Sequence, residues 1–185
     1  MDATVTEHRL GWGAQDFALR GIDGKTHRLG DLAGPKGLVV VFMCNHCPYV
    51  RSVIGRMESE AQALRKEGVG FAGINANDTE AYPEDSFDNM KLFATEHGLS
   101  FPYLFDETQA VAKAYGAVCT PDFFGFDGEL KLRYRGRLDA SRTTLVPNAK
   151  RELYEAMVQV ARSGTGPEVQ QPSMGCTIKW KPGQH

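Results

Sequence analysis

Two cysteines three positions apart, in the run Met43-Cys44-Asn45-His46-Cys47-Pro48, are the residues of this 185-residue sequence best suited to chemistry. A dithiol at that spacing closes into a disulfide and reopens, and the thiolate form is the nucleophile. Cys44 follows an apolar run and precedes a helical pattern, so it is expected at a helix N-terminus. Free backbone N–H groups and aligned peptide dipoles lower a thiol pKa there. This makes Cys44 the expected attacking thiolate and Cys47, one turn on, the resolving thiol. A His46 imidazolium would stabilise the thiolate further. Pro48 suits a first helical turn, where its missing N–H has no acceptor to lose.

The same spacing occurs in zinc knuckles, which need two more ligands. Cys44, Cys47, His46 and Cys119 are the set that could meet around a metal, and two inert buried thiols are the other alternative. Neither a cofactor nor a metal is expected.

The surrounding elements are legible as patterns. Leu38 to Met43 is a continuous apolar, β-branched run, read as a strand covered on both faces. Val50, Ile54, Met57, Ala61 and Leu64 recur at helical spacing, with Gly68 as the stop, and Val69 to Ile74 reads as a second strand. This is a strand, crossover helix, parallel strand unit with the cysteines at its first junction. An N-terminal hairpin is expected from Phe17–Leu19 and Lys25–Leu29 around Gly21-Ile22-Asp23-Gly24. Further on come an inserted helix from Phe87 to His97, a short strand from Phe101 to Phe105, and a compact helix carrying Val111, Ala114 and Tyr115. A strand from Cys119 to Phe126 then turns at Asp127-Gly128 into Leu130–Tyr134, and a last helix covers about Ala149 to Ala161. The fold class is α/β, a central mixed sheet flanked by helices. One domain is expected over residues 1–162. Residues 163–185 form a tail whose Ile178 and Trp180 give it reason to pack back on that domain.

Hydrophobic residues at 42%, charged residues at 24% and a net charge of −2 exclude a disordered chain and leave no broad field for nucleic acid or anionic lipid. No apolar stretch approaches the roughly 20 residues of a membrane span, and the start lacks the pattern of a secretory signal. Four cysteines, two of them adjacent in function, fit a reducing compartment, and a cytoplasmic location is expected.

Taken together, Asp16-Phe17-Ala18-Leu19, Asp23-Gly24-Lys25, the strand into Cys44-Asn45-His46-Cys47-Pro48-Tyr49-Val50, and Thr120-Pro121 before Asp127-Gly128 resemble the thioredoxin superfamily. Within it the chain is similar to the peroxiredoxin-like redoxins that carry a thioredoxin-style CxxC, a group whose ending Ser173-Met174-Gly175-Cys176-Thr177-Ile178-Lys179-Trp180 looks like. The resemblance implies a thioredoxin fold and a cis Thr120–Pro121 bond facing the redox pair, with neighbouring backbone that pairs with an extended substrate. It also implies that Cys47 occupies the place of a peroxidatic cysteine. Val40 and Cys44 stand where that chemistry needs a proline and a hydroxyl, so efficient peroxidase activity is not expected. Arg133, Arg135 and Arg137 are candidates for its arginine, or one solvated strand face. Cys119 and Cys176 are possible additional redox thiols, with packed, unreactive cysteines as the simpler reading.

Asp78, Glu80, Glu84, Asp85 and Asp88 read as a solvated acidic loop before a helix. Phe123, Phe124, Phe126 and Tyr134 read as sheet core, and Trp12 and Tyr49 as border residues of the active surface. The expected function is thiol–disulfide oxidoreductase, acting on a protein or small-molecule disulfide with a thiol reductant. The rivals are a thiol peroxidase using Cys47 and a non-enzymatic redox sensor.

Overall fold

Six consecutive buried residues, Leu38 to Met43, divide their side chains between two cores by strand alternation. Val39, Val41 and Met43 join one, and Leu38, Val40 and Phe42 join the other. The computed structural model describes residues 8–183, so the first residues of the start read above for a leader lie outside it.

The chain runs β1 (Ala18–Gly21), β2 (Thr26–Arg28), α1 (Leu29–Leu32), β3 (Gly37–Phe42), α2 (Pro48–Lys66) and β4 (Val69–Asn75). A 3-10 turn (Pro83–Asp85), α3 (Phe87–His97), β5 (Tyr103–Phe105), α4 (Ala110–Tyr115), β6 (Cys119–Thr120) and β7 (Asp122–Asp127) follow. β8 (Leu132–Gly136), α5 (Glu152–Ser163) and β9 (Cys176–Thr177) complete it.

Strands β2-β1-β5-β4 and β3-β7-β8 form two hydrogen-bonded sets. They meet where Met43 N–H donates to the Ile74 carbonyl at 2.9 Å. β4 and β5 are parallel, whereas β3–β7, β7–β8, β1–β2 and β1–β5 are antiparallel. The result is the expected mixed sheet with an N-terminal hairpin and flanking helices, a thioredoxin fold. Side chains such as Val53, Ile54, Met57 and Leu64 of α2 seal one face, each worth about 1.5–3 kcal/mol on full burial.

Helix ends follow local chemistry. Ser86 accepts from Asn89 N–H at the start of α3, and Gly98 closes that helix at φ 61°, a conformation that costs glycine nothing. Two boundaries differ from the sequence reading. The strand expected over Cys119 to Phe126 is two strands divided at Pro121, whose nitrogen has no hydrogen to donate. The last helix begins at Glu152 rather than near Ala149.

Tail strand β9 pairs antiparallel with β6, Cys119 opposite Thr177 and Thr120 opposite Cys176. Ile178 is 2% exposed within the second core, and Trp180 packs partly against it. Among the described residues no helix is long and apolar enough to cross a membrane.

Candidate active site

Helix α2 begins at Pro48, and that start decides which sulfur it serves. The proline ring disfavours helical backbone in the residue before it, and Cys47 has φ −66° and ψ 124°, an extended N-cap conformation. Cys47, not Cys44, therefore stands at the positive helix end. Cys44 lies in the bend between β3 and α2.

Both sulfurs are covered: Cys44 is 1% and Cys47 0% exposed. Thr120 and the tail supply much of the cover. Cys44 Sγ lies 3.7 Å from Thr120 Oγ1, and the neutral Cys47 thiol donates to the Thr120 carbonyl at 3.3 Å. Cys176 Sγ is 2.8 Å from Cys47 Sγ. The Thr120–Pro121 bond is cis.

Cys44 and Cys47 interact closely enough that they cannot both ionise readily. The neighbouring Cys44 thiol, helped by Cys176, Thr120 and the Val50 backbone N–H, outweighs burial and holds the Cys47 thiol well below its usual range. The same pairing, together with burial and the Asp85 carboxylate, pushes the Cys44 thiol well above its usual range. Helix α2 thus starts three residues later than the reading of Cys44 at its N-terminus required, and the positive helix end falls to Cys47.

His46 stands beside both Asp85 and Cys44, with a ring nitrogen within 4.8 Å of the Cys44 sulfur. Its Nδ1 stands 2.5 Å from Asp85 Oδ2, at an angle short of hydrogen-bonding geometry, and its ring stacks on Tyr82 with centroids 5.7 Å apart. Asp85 is fully buried and accepts from Asn45 N–H (2.8 Å), His46 N–H (3.3 Å) and the Asn77 amide (2.9 Å). Asn45 Oδ1 accepts from the Tyr103 hydroxyl at 2.9 Å. Burial, reinforced by Cys44 and Asp85, raises that phenol well above its ordinary range. The acidic loop is accordingly not all solvated: Asp78 and Asp85 are buried, while Asp88 is exposed. Sequence reading missed Asp85, Asn45 and Tyr103. The one signal for them was a set of amides, Asn45, Asn75 and Asn77, just past two apolar strands.

Cys44, His46 and Asp85 bring donor atoms within 4.8 Å of one another. That is a three-donor set where a closed zinc site takes four, and His46 and Asp85 already stand against each other. Cys119 lies outside the set; its thiol donates to the Pro121 carbonyl at 3.6 Å, and burial with Asp122 pushes it up to about 12. Each of the three arginines is paired with a carboxylate: Arg133 holds Asp127 (2.8 Å), Arg135 holds Asp122 (3.0 Å) and Arg137 holds Glu152 (3.1 Å). Trp12 packs on Tyr115 in the second core and does not border the site. Tyr49 does, lining a small cavity with Pro121 and Met174.

The model of the AhpC/TSA family matches residues 10–135. The chain belongs to the AhpC/TSA family. It is a redoxin of the thioredoxin superfamily carrying a CxxC pair. It is 29% identical over 124 residues to thiol-disulfide oxidoreductase ResA of Geobacillus thermodenitrificans, covering 67% of each chain. A crystal structure of an uncharacterized conserved protein from Geobacillus kaustophilus is 48% identical, with TM-score 0.88 over 94% of this chain and 93% of that one. With these relatives and its cysteine pair, the redoxin is an enzyme of the thiol–disulfide oxidoreductase type. The cytoplasmic location expected from the sequence does not stand. A secreted disulfide oxidoreductase of Mycobacterium tuberculosis shares the fold, with TM-score 0.53 and 20% identity over 63% of this chain and 79% of that one. A redox pair on this scaffold is therefore no mark of a reducing compartment.

Proposed function

We propose that this redoxin reduces or exchanges disulfides with Cys47 as the attacking thiolate and Cys44 as the resolving thiol. Cys47 attacks one sulfur of the substrate disulfide and releases the other as a thiol. Cys44 then gives up its proton and attacks Cys47, freeing the second substrate thiol and leaving a Cys44–Cys47 disulfide. The observation that carries this reading is the place of Cys47 at the N-terminus of α2, beside the Thr120 carbonyl and Cys176, where negative charge is favoured. A stabilised thiolate also stabilises the reduced form and makes the pair more oxidising.

In this reading Thr120 and Pro121 wall the pair, Pro48 fixes where the helix starts, and His46 holds Asp85 beside Cys44. Residues 1–162 form the redoxin domain and 163–185 a tail that completes the site. The partners are a disulfide-bearing protein or small molecule and a thiol reductant.

Turnover of protein and small disulfides tests it. Cys47→Ser abolishes attack, whereas Cys44→Ser combined with Cys176→Ser allows attack once and accumulates a mixed disulfide at Cys47. A Cys47→Ser protein that still turns over overturns the assignment.

A peroxidase reading has one observation in its favour, the charged sulfur at Cys47. Stopped-flow mixing with hydrogen peroxide and an alkyl hydroperoxide separates the two, because a peroxidase consumes Cys47 thiolate in the Cys44→Ser protein as well.

A further inference from the structure

A buried dithiol needs a route to external electrons, and a third sulfur stands at its edge. Cys176 is half-buried, and its Sγ lies 2.8 Å from that of Cys47, well inside non-bonded separation though longer than the roughly 2.05 Å of a covalent bond.

The contact is built rather than incidental. β9 lies along β6 in register, and Gly175 allows it, because a Cβ there would run into the Thr120 carbonyl. The tail is pinned on both sides of Cys176. Upstream, Ser173 Oγ accepts from Phe123 N–H at 3.4 Å and donates to the Gly136 carbonyl. Downstream, Ile178 N–H donates to the Val118 carbonyl at 3.2 Å and Lys179 N–H to Asn77 Oδ1 at 2.9 Å.

We propose that Cys176 is a third redox thiol of this enzyme, exchanging disulfides with Cys47 so that external thiols reach the buried pair through the tail. The proposal rests on the function assigned above to Cys44 and Cys47. Starting from a Cys44–Cys47 disulfide, Cys176 gives up its proton and attacks the Cys47 sulfur. The Cys44–Cys47 bond breaks, Cys44 leaves as a thiol, and a Cys47–Cys176 disulfide forms. A reductant thiolate attacks Cys176, and Cys47 leaves as the thiolate. The leaving group is the better one of the two, since a sulfur stable as thiolate departs faster. A second reductant thiol then attacks the mixed disulfide, releasing Cys176 as a thiol and forming the reductant's own disulfide. Two electrons pass to the enzyme.

Two measurements test this. Cys44→Ser protein oxidised with diamide is digested without reduction and its disulfides are mapped by mass spectrometry; a Cys47–Cys176 peptide pair is expected in stoichiometric amount. Separately, oxidised wild type, Cys176→Ser and Cys176→Ala are mixed with glutathione, and free thiols are trapped with N-ethylmaleimide over time. Reduction of the Cys44–Cys47 disulfide slows at least about tenfold in both variants, and partly reduced wild type contains Cys47–Cys176 species. Absence of that species from wild type and from Cys44→Ser protein, or variants reduced at the wild-type rate, overturns the proposal alone. Wild type that never forms a Cys44–Cys47 disulfide overturns the assigned function instead.

Discussion

The carboxylate of Asp85 sits 2.5 Å from the His46 imidazole with none of its side chain exposed, directly behind the bend that carries Cys44. Its negative charge disfavours a second one at Cys44, while its oxygens tie down the backbone of Asn45 and His46. Asp85→Ala orphans those donors together with the Asn77 amide, and a loss of about 3 kcal/mol in urea unfolding is expected. Asp85→Asn keeps part of the bonding, costs about 1 kcal/mol, and increases the thiolate fraction of Cys44 as read by the pH dependence of its alkylation. Equal midpoints for wild type and the alanine variant rule out this role.

Cys47 ties stability to pH in the reduced protein. Its thiol ionises well below its ordinary value when folded and near 8.5 when unfolded. A depressed acid stabilises the fold above the unfolded value and loses that contribution as pH falls toward the folded one. The stability difference between reduced wild type and Cys47→Ser therefore widens as pH rises from the folded value to about 8.5. Urea midpoints across that window that keep a constant gap contradict the lowered value.

Tyr103 donates to Asn45 in a fully buried position. Tyr103→Phe leaves the amide oxygen without that donor and costs about 1–2 kcal/mol, measured as a shift in thermal or urea unfolding.

Gly175 admits the tail backbone against Thr120. Gly175→Ala forces the strand outward, with a cost of about 1–3 kcal/mol. Iodoacetamide is then expected to label Cys47 about tenfold faster, because the cover over it opens more often. Unchanged labelling means that the tail does not control access.

Much of the fold was legible because its signals are local and periodic. The apolar run into Cys44, the helical spacing of Val50 to Leu64, the Gly68 and Gly98 stops and the Asp127-Gly128 turn each depend on neighbours within one turn or one hairpin. The site was only half legible. The CxxC pair announced itself, but its polarity turned on a single backbone restriction, the residue before Pro48. Asp85 lies 41 positions from Cys44 and Cys176 lies 129 from Cys47, so no spacing rule reaches them. Their roles come from chain crossings that only three-dimensional packing reveals.

The tail touches both faces of the sheet: Cys176 packs against the core that holds the redox pair, and Ile178 is buried in the other. Uncovering the sulfurs by peeling β9 away thus pulls an isoleucine into water on the far side. At about 2 kcal/mol for that side chain alone, the open form amounts to at most roughly three molecules in a hundred. Opening of β9 is thus the step expected to limit turnover with bulky substrates.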